Sequence, residues 1–161
     1  MAVFLDTETT GLSPARGDAI VEIAIVDERG RTLLDTLVNP QRSIPWEASN
    51  VHGISDDMVR NQPTLAQVMP RVLKIISAKL VVIYNASFDA PFFPGSLGEA
   101  TDVACAMRRF ASIVGGSWWK LAEAAEHVGH RWTGDAHRAL ADAQACRSVW
   151  SWLESKTRRR S

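Results

Sequence analysis

Two carboxylates alternate with a threonine near the start of the chain. Asp6 and Glu8 follow a short apolar run, residues 2–5, that has the length of a β-strand. Because side chains alternate along a strand, the two carboxylates are predicted to project from the same face. Like charges this close repel unless a cation lies between them, and hard oxygen ligands suit Mg²⁺ or Mn²⁺. Such pairs also occur where a strand runs into solvent, so the interpretation depends on further acidic segments.

A further carboxylate, Asp89, follows the next strongly apolar segment. Residues 80–84 form a continuous apolar run of strand length, which indicates a strand buried on both faces. Asp89 is therefore expected at the carboxyl edge of the sheet, where open α/β sheets place their sites. The alternative is that Asp89 caps or opens the helix that continues into Phe92 and Phe93.

A third segment places a histidine before a carboxylate at the start of the last predicted helix. His137 and Asp142 are five residues apart, which is a poor match to one helical face. His137 is therefore predicted to reach the site from the preceding loop or from the first helical turn. Taken alone, a histidine here would be a surface residue or one whose hydrogen bonds are satisfied within the protein. Beside three converging carboxylates it becomes a candidate general base.

Composition is that of a folded globular protein with no net charge. The 161 residues include 18 basic and 18 acidic side chains, and 46% are hydrophobic, as expected for a single domain. Zero net charge argues against a protein that wraps long duplex DNA by charge alone, but not against a nuclease that grips a few nucleotides. No apolar run has membrane-spanning length and no signal peptide is recognisable, so we expect a cytoplasmic protein without membrane contact.

The elements around these residues predict the α/β class. Three strands are predicted at 2–8, 19–27 and 32–38, and a fourth at 80–84. Helices are predicted at 46–51, 55–60, 65–77, 103–111, 119–128 and 136–153, with Thr64 and Asp102 as N-caps of the third and fourth. Antiparallel strands followed by alternating helix and strand indicate a mixed sheet with helices on its faces. We expect one domain over residues 1–154 and a polar, basic tail over residues 155–161.

The three chemical segments together resemble the motifs of a known family. Residues 6–11 (DTETTG), 85–89 (NASFD) and 137–142 (HRALAD) are similar to the three exonuclease motifs of the DnaQ-like 3′→5′ exonucleases, in the DEDDh branch with histidine in the third motif. Residues 50–54 (NVHGI) match a segment between the first two motifs. The resemblance spans residues 2–153 and is greatest to the exonuclease X group. It implies a ribonuclease H-like fold, a mixed five-stranded sheet flanked by helices.

The resemblance also implies roles for the matched residues. Two Mg²⁺ ions, with Mn²⁺ as a substitute, would be bound by four carboxylates: Asp6, Glu8, Asp89 and Asp142. His137 would deprotonate the attacking water, completing the catalytic set. The terminal nucleotide would be bound by Thr9, Gly11, Leu12, Val51, His52 and Phe88. His52 has an alternative role, capping the short helix before Gly53.

The function predicted from this resemblance is metal-dependent hydrolysis of phosphodiester bonds at the 3′ end of DNA, with single strands favoured and nucleoside 5′-monophosphates released. An exoribonuclease is the alternative within the same chemistry, because the choice of sugar depends on contacts to the 2′-hydroxyl. A polymerase-associated binding subunit is the alternative from another class. Nucleic-acid 3′ ends are the expected partners, DNA in preference to RNA. The motifs do not specify contact with a polymerase or formation of a homodimer. Serine-hydrolase, P-loop and Rossmann signatures are missing from the sequence.

Overall fold

A five-stranded mixed sheet forms the centre of the computed structural model, which describes residues 1–134 and 137–158. The strands are β1 (Ala2–Thr9), β2 (Ile20–Asp27), β3 (Thr32–Leu37), β4 (Leu80–Ile83) and β5 (Asp102–Cys105). Their order across the sheet is β3-β2-β1-β4-β5. β2 pairs antiparallel with both β1 and β3, whereas β4 runs parallel to both β1 and β5. The predicted mixed sheet and α/β class are confirmed.

Seven α-helices surround the sheet within the described residues. They are α1 (Trp46–His52), α2 (Asp56–Val59), α3 (Leu65–Ile76), α4 (Ala86–Asp89), α5 (Ala106–Val114), α6 (Leu121–His127) and α7 (Ala139–Arg158). The start of α3 is fixed as predicted, because the backbone N–H of Thr64 donates to Oε1 of Gln67 at 2.9 Å. None of the described helices combines the length and the apolar character needed to cross a membrane.

The two faces of the sheet bury different helices. Val3 and Leu5 pack on the face covered by α3, whereas Phe4 packs on the face covered by α5, α6 and α7. Strand alternation thus divides β1 between two cores. Each large side chain that is fully buried in them contributes about 1.5–3 kcal/mol. In the sequence, five residues of the last helix recur at spacings of three and four, which predicts one inward stripe. All five are buried: Ala139, Ala143, Cys146, Trp150 and Leu153.

Two predicted helix starts are wrong. Residues 102–105, predicted to begin a helix, form the edge strand β5, which pairs with β4 from Leu80↔Asp102 to Ile83↔Cys105. A four-residue edge strand is too short to show a clear alternation of apolar and polar residues in the sequence. It forms because its residues pair with β4, which is distant in the sequence. The last helix begins at Ala139, after its predicted start at residue 136, which lies outside the described residues. It continues to Arg158, so residues 155–158 extend the helix. The domain limit at residue 154 stays a prediction, and residues 159–161 lie outside the described residues.

Candidate active site

Three carboxylates converge between β1 and the first turn of α7. Asp6 and Glu8 project from the face of β1 that α7 covers, and Asp142 projects from α7. One carboxylate oxygen of each lies within 4.8 Å of the others. The buried, small side chains of Ala139 and Ala143 let α7 approach the sheet closely. The structure therefore brings together three of the four predicted metal ligands.

Asp89 reaches the site from the end of β4 but lies outside this three-carboxylate cluster. It is the last residue of α4 and is buried. The hydroxyl of Thr7 donates to Oδ1 of Asp89 at 2.7 Å. Asp89 also occupies the N-cap position of the 3-10 turn Ala90–Phe92, so it opens that turn as the alternative predicted, but its side chain makes no capping hydrogen bond there. Its charge still acts on the cluster, because it helps to raise the pKa of Asp6.

Burial and the charge of neighbouring carboxylates raise the pKa of all four residues. Burial is the main cause in each case. The pKa of Asp6 lies well above its ordinary value, with Asp89 and Asp142 adding to the effect of burial. Burial and the charge of Asp142 raise the pKa of Glu8 to about 9. Burial raises the pKa of Asp89 to about 7 and that of Asp142 to about 6. Negative charge confined in this way fits a bound divalent cation, and an all-carboxylate donor set fits Mg²⁺ or Mn²⁺.

His137 lies at the rim of the cluster, immediately before α7. Its side chain is exposed, and its backbone has a left-handed φ of 64°, a conformation that is costly for a residue other than glycine. Its backbone N–H donates to Oδ1 of Asp142 at 3.4 Å, and its charge opposes the rise in the pKa of Asp142. The structure thus places His137 on the loop before the helix, where the five-residue spacing predicted it.

Sequence reasoning missed the ion pair that holds this loop. Glu22 of β2 lies opposite Glu8 in the β1–β2 register and is 2% exposed. Arg138 donates to both of its carboxylate oxygens, at 2.6 and 3.1 Å, and the backbone N–H of Ala139 donates to it at 2.9 Å. A single glutamate in the otherwise apolar run of residues 20–26 was the available signal, since a buried charge needs a partner.

A cavity of about 380 Å³ opens beside the cluster and is lined by Glu8. All six predicted substrate-binding residues line it: Thr9, Gly11, Leu12, Val51, His52 and Phe88. Leu12 and Val51 are 83% and 55% exposed, so the cavity has apolar side chains that are open to solvent. The first motif and the region of α1 therefore share one cavity next to the carboxylates.

The loop that forms one wall of this cavity is held by Asp18, a second residue that the sequence did not reveal. Its carboxylate accepts hydrogen bonds from Ser13 N at 3.0 Å and from the hydroxyl of Thr10 at 3.3 Å. It lies so close to Gly11 that a Cβ there would meet Asp18 atoms at 2.4–2.6 Å. Glycine is therefore required at position 11 for close approach.

His52 has both ring nitrogens engaged within the protein. Its Nδ1 accepts from the N–H of Ile54 at 3.0 Å, and its Nε2 lies 3.3 Å from the carbonyl oxygen of Thr9. Because Nδ1 accepts, Nε2 carries the proton and donates to Thr9. Burial lowers the pKa of His52, which favours this neutral form. The ring thus ties the residues after α1 to the end of β1.

Comparisons with known proteins find an exonuclease family over most of the chain. The RNase_T family model, described as Exonuclease, matches residues 3–149. An uncharacterized exonuclease of Escherichia phage 186, CP81, is 39% identical over 164 residues, covering 88% of this chain and 82% of the phage protein. DNA polymerase III subunit epsilon of Rickettsia prowazekii is 37% identical over 94 residues, which cover 56% of this chain but only 41% of that subunit.

Solved structures share the fold. Exonuclease X in complex with 5′ overhanging duplex DNA is 27% identical, with a TM-score of 0.80 over 97% of this chain and 92% of that chain. The nuclease domain of 3′hExo, a DEDDh member bound to rAMP, has a TM-score of 0.78 over 96% of this chain and 92% of its own. At 16% identity the latter shows the fold alone. The predicted ribonuclease H-like fold and the DnaQ-like resemblance are confirmed, and the chain belongs to the RNase_T exonuclease family.

Proposed function

We propose that this protein is a metal-dependent 3′→5′ exonuclease that hydrolyses DNA, with single strands favoured, and releases nucleoside 5′-monophosphates in the cytoplasm. One observation carries the proposal. Glu8 belongs to the carboxylate cluster and also lines the cavity formed by the predicted substrate-binding residues. A phosphate at the cluster can therefore belong to a nucleotide whose base occupies that cavity.

The residues divide the work of hydrolysis. Asp6, Glu8, Asp89 and Asp142 would hold two Mg²⁺ ions, which would activate water, screen the phosphate and stabilise the leaving 3′-oxygen. From its exposed position, His137 would take the proton of the attacking water. The new bond forms between this water oxygen and phosphorus as the bond from phosphorus to the 3′-oxygen breaks. Proton uptake by that oxygen leaves a 3′-hydroxyl on the shortened strand and a 5′-monophosphate as product.

The cavity is suited to any terminal base. Leu12, Val51 and Phe88 offer apolar and aromatic surface, which can contact every base with little sequence preference. The wall formed by residues 9–12 continues from Glu8 of the carboxylate cluster, so a strand end placed against it would have a phosphate near the carboxylates. The DNA-bound exonuclease X relative supports DNA as the substrate class.

The direct test uses a single-stranded DNA labelled at its 5′ end and the RNA of the same sequence. Each is incubated with Mg²⁺, with Mn²⁺ or with chelator. We expect a metal-dependent ladder that shortens the DNA from its 3′ end. Asp142→Asn should abolish the ladder, whereas Asp57→Asn, the same substitution at an exposed position of α2, should leave it unchanged. Faster cleavage of RNA would replace the DNA assignment, and shortening from the 5′ end would contradict the direction.

A polymerase-associated role is the second candidate, because the chain matches part of the epsilon subunits of DNA polymerase III. In that case the domain binds nucleic acid and a partner, and catalysis is secondary. Oligonucleotide binding without cleavage in any metal would favour it. Active cleavage by the isolated chain would show that no polymerase is needed for hydrolysis.

A further inference from the structure

A second cavity, of about 440 Å³, is lined partly by residues of α7 and by none of the four active-site carboxylates. It is formed by the β2–β3 hairpin, the segment after α6 and the middle of α7. Four of its residues are arginines or a histidine: Arg29, His130, Arg131 and Arg147. No carboxylate lines it in the part of the chain that the structure describes. In a protein with 18 basic and 18 acidic residues, this is a concentrated positive site.

Across residues 1–134 and 137–158, none of Arg29, Arg131 and Arg147 forms an ion pair with a carboxylate. Arg147 is held in place by neutral acceptors, since its Nε donates to Oε1 of Gln144 at 3.1 Å and its Nη1 to the carbonyl of Glu28 at 3.4 Å. Its charge is therefore oriented but left free to meet an anion.

His130 adds an unsatisfied polar atom to the same cavity wall. Its Nδ1 lies 2.8 Å from the hydroxyl of Ser148, but its Nε2 is buried and has no hydrogen-bond partner among the described residues. A buried polar atom without a partner is costly and calls for an explanation. Protonated at Nε2, the imidazole would be a further donor to an anion.

The hairpin is built to approach α7 at this point. Gln144 donates from Nε2 to the carbonyl of Gly30 at 2.7 Å. Gly30 has φ of 78°, and a Cβ there would meet Gln144 and Arg147 at 3.1–3.2 Å. Glycine thus supplies both the turn and the close approach that bring Arg29 beside Arg147.

The cavity and the carboxylate cluster lie at different positions along α7. Arg147 follows Asp142 by five residues on α7, an axial rise of about 7.5 Å. Thr133 lines both this cavity and a smaller neighbouring one that contains Arg138, the residue after His137. The smaller cavity also contains Glu22 and Asp35. In the β1–β2 register Glu22 lies opposite Glu8 and Asp27 opposite Val3, so the hairpin lies about 17 Å along the sheet from Glu8. A strand whose 3′ end lies at the carboxylates would span this distance with a few nucleotides on its 5′ side.

We propose that Arg29, His130, Arg131 and Arg147 bind a backbone phosphate of the substrate strand, a few nucleotides 5′ of the scissile bond. The inference rests on the proposed function for the direction of the strand. The ligand chemistry is a phosphate oxyanion, which arginine recognises by paired, charge-assisted hydrogen bonds. A free nucleotide offers the same group, so the test must separate a phosphate within a strand from a free one.

The test compares Arg29→Gln/Arg131→Gln with Arg71→Gln/Lys74→Gln, which removes the same charge from α3 on the other face of the sheet. All four side chains are exposed, so both variants should keep the wild-type Tm. Fluorescence anisotropy in chelator measures binding to a thymidine dinucleotide and to a strand of about 16 nucleotides. We expect the cavity variant to lose roughly tenfold in affinity for the long strand only. The slope of its log affinity against log salt concentration should fall by about 0.7 for each phosphate that the variant no longer binds.

The remaining outcomes overturn the proposal. An unchanged affinity for the long strand, or an equal loss in the control variant, would show that the cavity makes no specific phosphate contact. An equal loss for dinucleotide and long strand would place the phosphate at the terminal nucleotide or as a free ligand. Because binding is measured without metal, the result is independent of catalysis. A failed cleavage assay would contradict the proposed function, but the binding measurement could still be interpreted.

Discussion

The guanidinium of Arg138 closes over the carboxylate of Glu22, and the two residues are 116 positions apart in the chain. Their bond joins the residue between His137 and α7 to the strand that pairs with β1. Glu22 also lies opposite Glu8 in that pairing. Without Arg138, the negative charge of Glu22 would repel the carboxylate cluster with no positive charge to offset it. The ion pair therefore sets the position of the third motif and limits the repulsion around the first.

We expect Arg138→Met to destabilise the protein by about 2–4 kcal/mol, because it leaves Glu22 buried without its counter-charge. Arg138→Met/Glu22→Gln should be less destabilised than Arg138→Met alone. Urea unfolding of the two single variants and the double variant measures the coupling. Strictly additive losses would mean that the two side chains act independently. Activity should fall in Arg138→Met even under conditions in which all of the protein is folded, because the residue next to His137 is no longer held by Glu22.

The metal-free protein should lose stability as the pH rises. The folded-state pKa values of Asp142, Asp89 and Glu8 are raised to about 6, 7 and 9, from ordinary values of 3.8, 3.8 and 4.5. The native state therefore binds more protons than the unfolded state between about pH 4 and pH 9, so its stability is greatest at the acidic side and falls across this range. Tm measured in chelator should decrease from pH 5 to pH 9.

Two controls connect that pH dependence with the carboxylates. Mg²⁺ should restore Tm most strongly at high pH, where the ligands are ionised. Asp142→Asn should flatten the decrease in chelator, because it removes one buried charge. A Tm that rises with pH in the chelated wild-type protein would contradict the raised pKa values.

His137→Gln should lower kcat by about 10²–10⁴-fold if the imidazole is the general base, while affinity for a single-stranded oligonucleotide in chelator changes little. The side chain is exposed and donates no described side-chain hydrogen bond, so the fold should be unaffected. Single-turnover cleavage separates the chemical step from product release. A wild-type single-turnover rate would assign the base to another group.

Local patterns predicted the parts of the site that lie within single elements. Strand alternation put Asp6 and Glu8 on one face, and helical periodicity gave the buried stripe of α7 from Ala139 to Leu153. Both signals depend only on neighbours in sequence. The five-residue spacing correctly separated His137 from the helical face of Asp142, because a helix has a fixed period.

Contacts between distant segments were not predicted, and they determine the rest of the site. β5 exists because Asp102–Cys105 pairs with β4, which no local pattern encodes. Glu22 pairs with a residue of another element, and the hydrogen-bond partners of Asp18 lie across a loop. The sequence signalled only Glu22, as a charge within the apolar run of β2. The basic cavity combines a hairpin, a loop and a helix, so its four side chains are scattered in the sequence.

Thr7→Val should weaken Mg²⁺ activation at neutral pH. The Thr7 hydroxyl donates to Asp89 and opposes the effect of burial on the pKa of that carboxyl, which is about 7. Loss of the donor should raise this pKa further, so fewer molecules carry the ionised ligand at pH 7. The Mg²⁺ concentration for half-maximal activity should increase several-fold at pH 7 and approach the wild-type value near pH 9. Thr36→Val on β3, away from the site, is the matched control, and an equal effect in both would exclude a role for the Asp89 bond.

Gly11→Ala should damage substrate binding without removing the metal site. A Cβ at position 11 would meet the carboxylate of Asp18 at 2.4–2.6 Å. That carboxylate cannot move freely, because it accepts from Ser13 N and pairs with Arg42, so the wall of the cavity must shift instead. We expect kcat/KM on single-stranded DNA to fall at least tenfold, mostly through KM, while the Mg²⁺-induced rise in Tm is retained. Gly98→Ala is the control, since its nearest contact is 3.3 Å and it lies outside the cavity. An unchanged KM in Gly11→Ala would show that the terminal nucleotide does not rest against this wall.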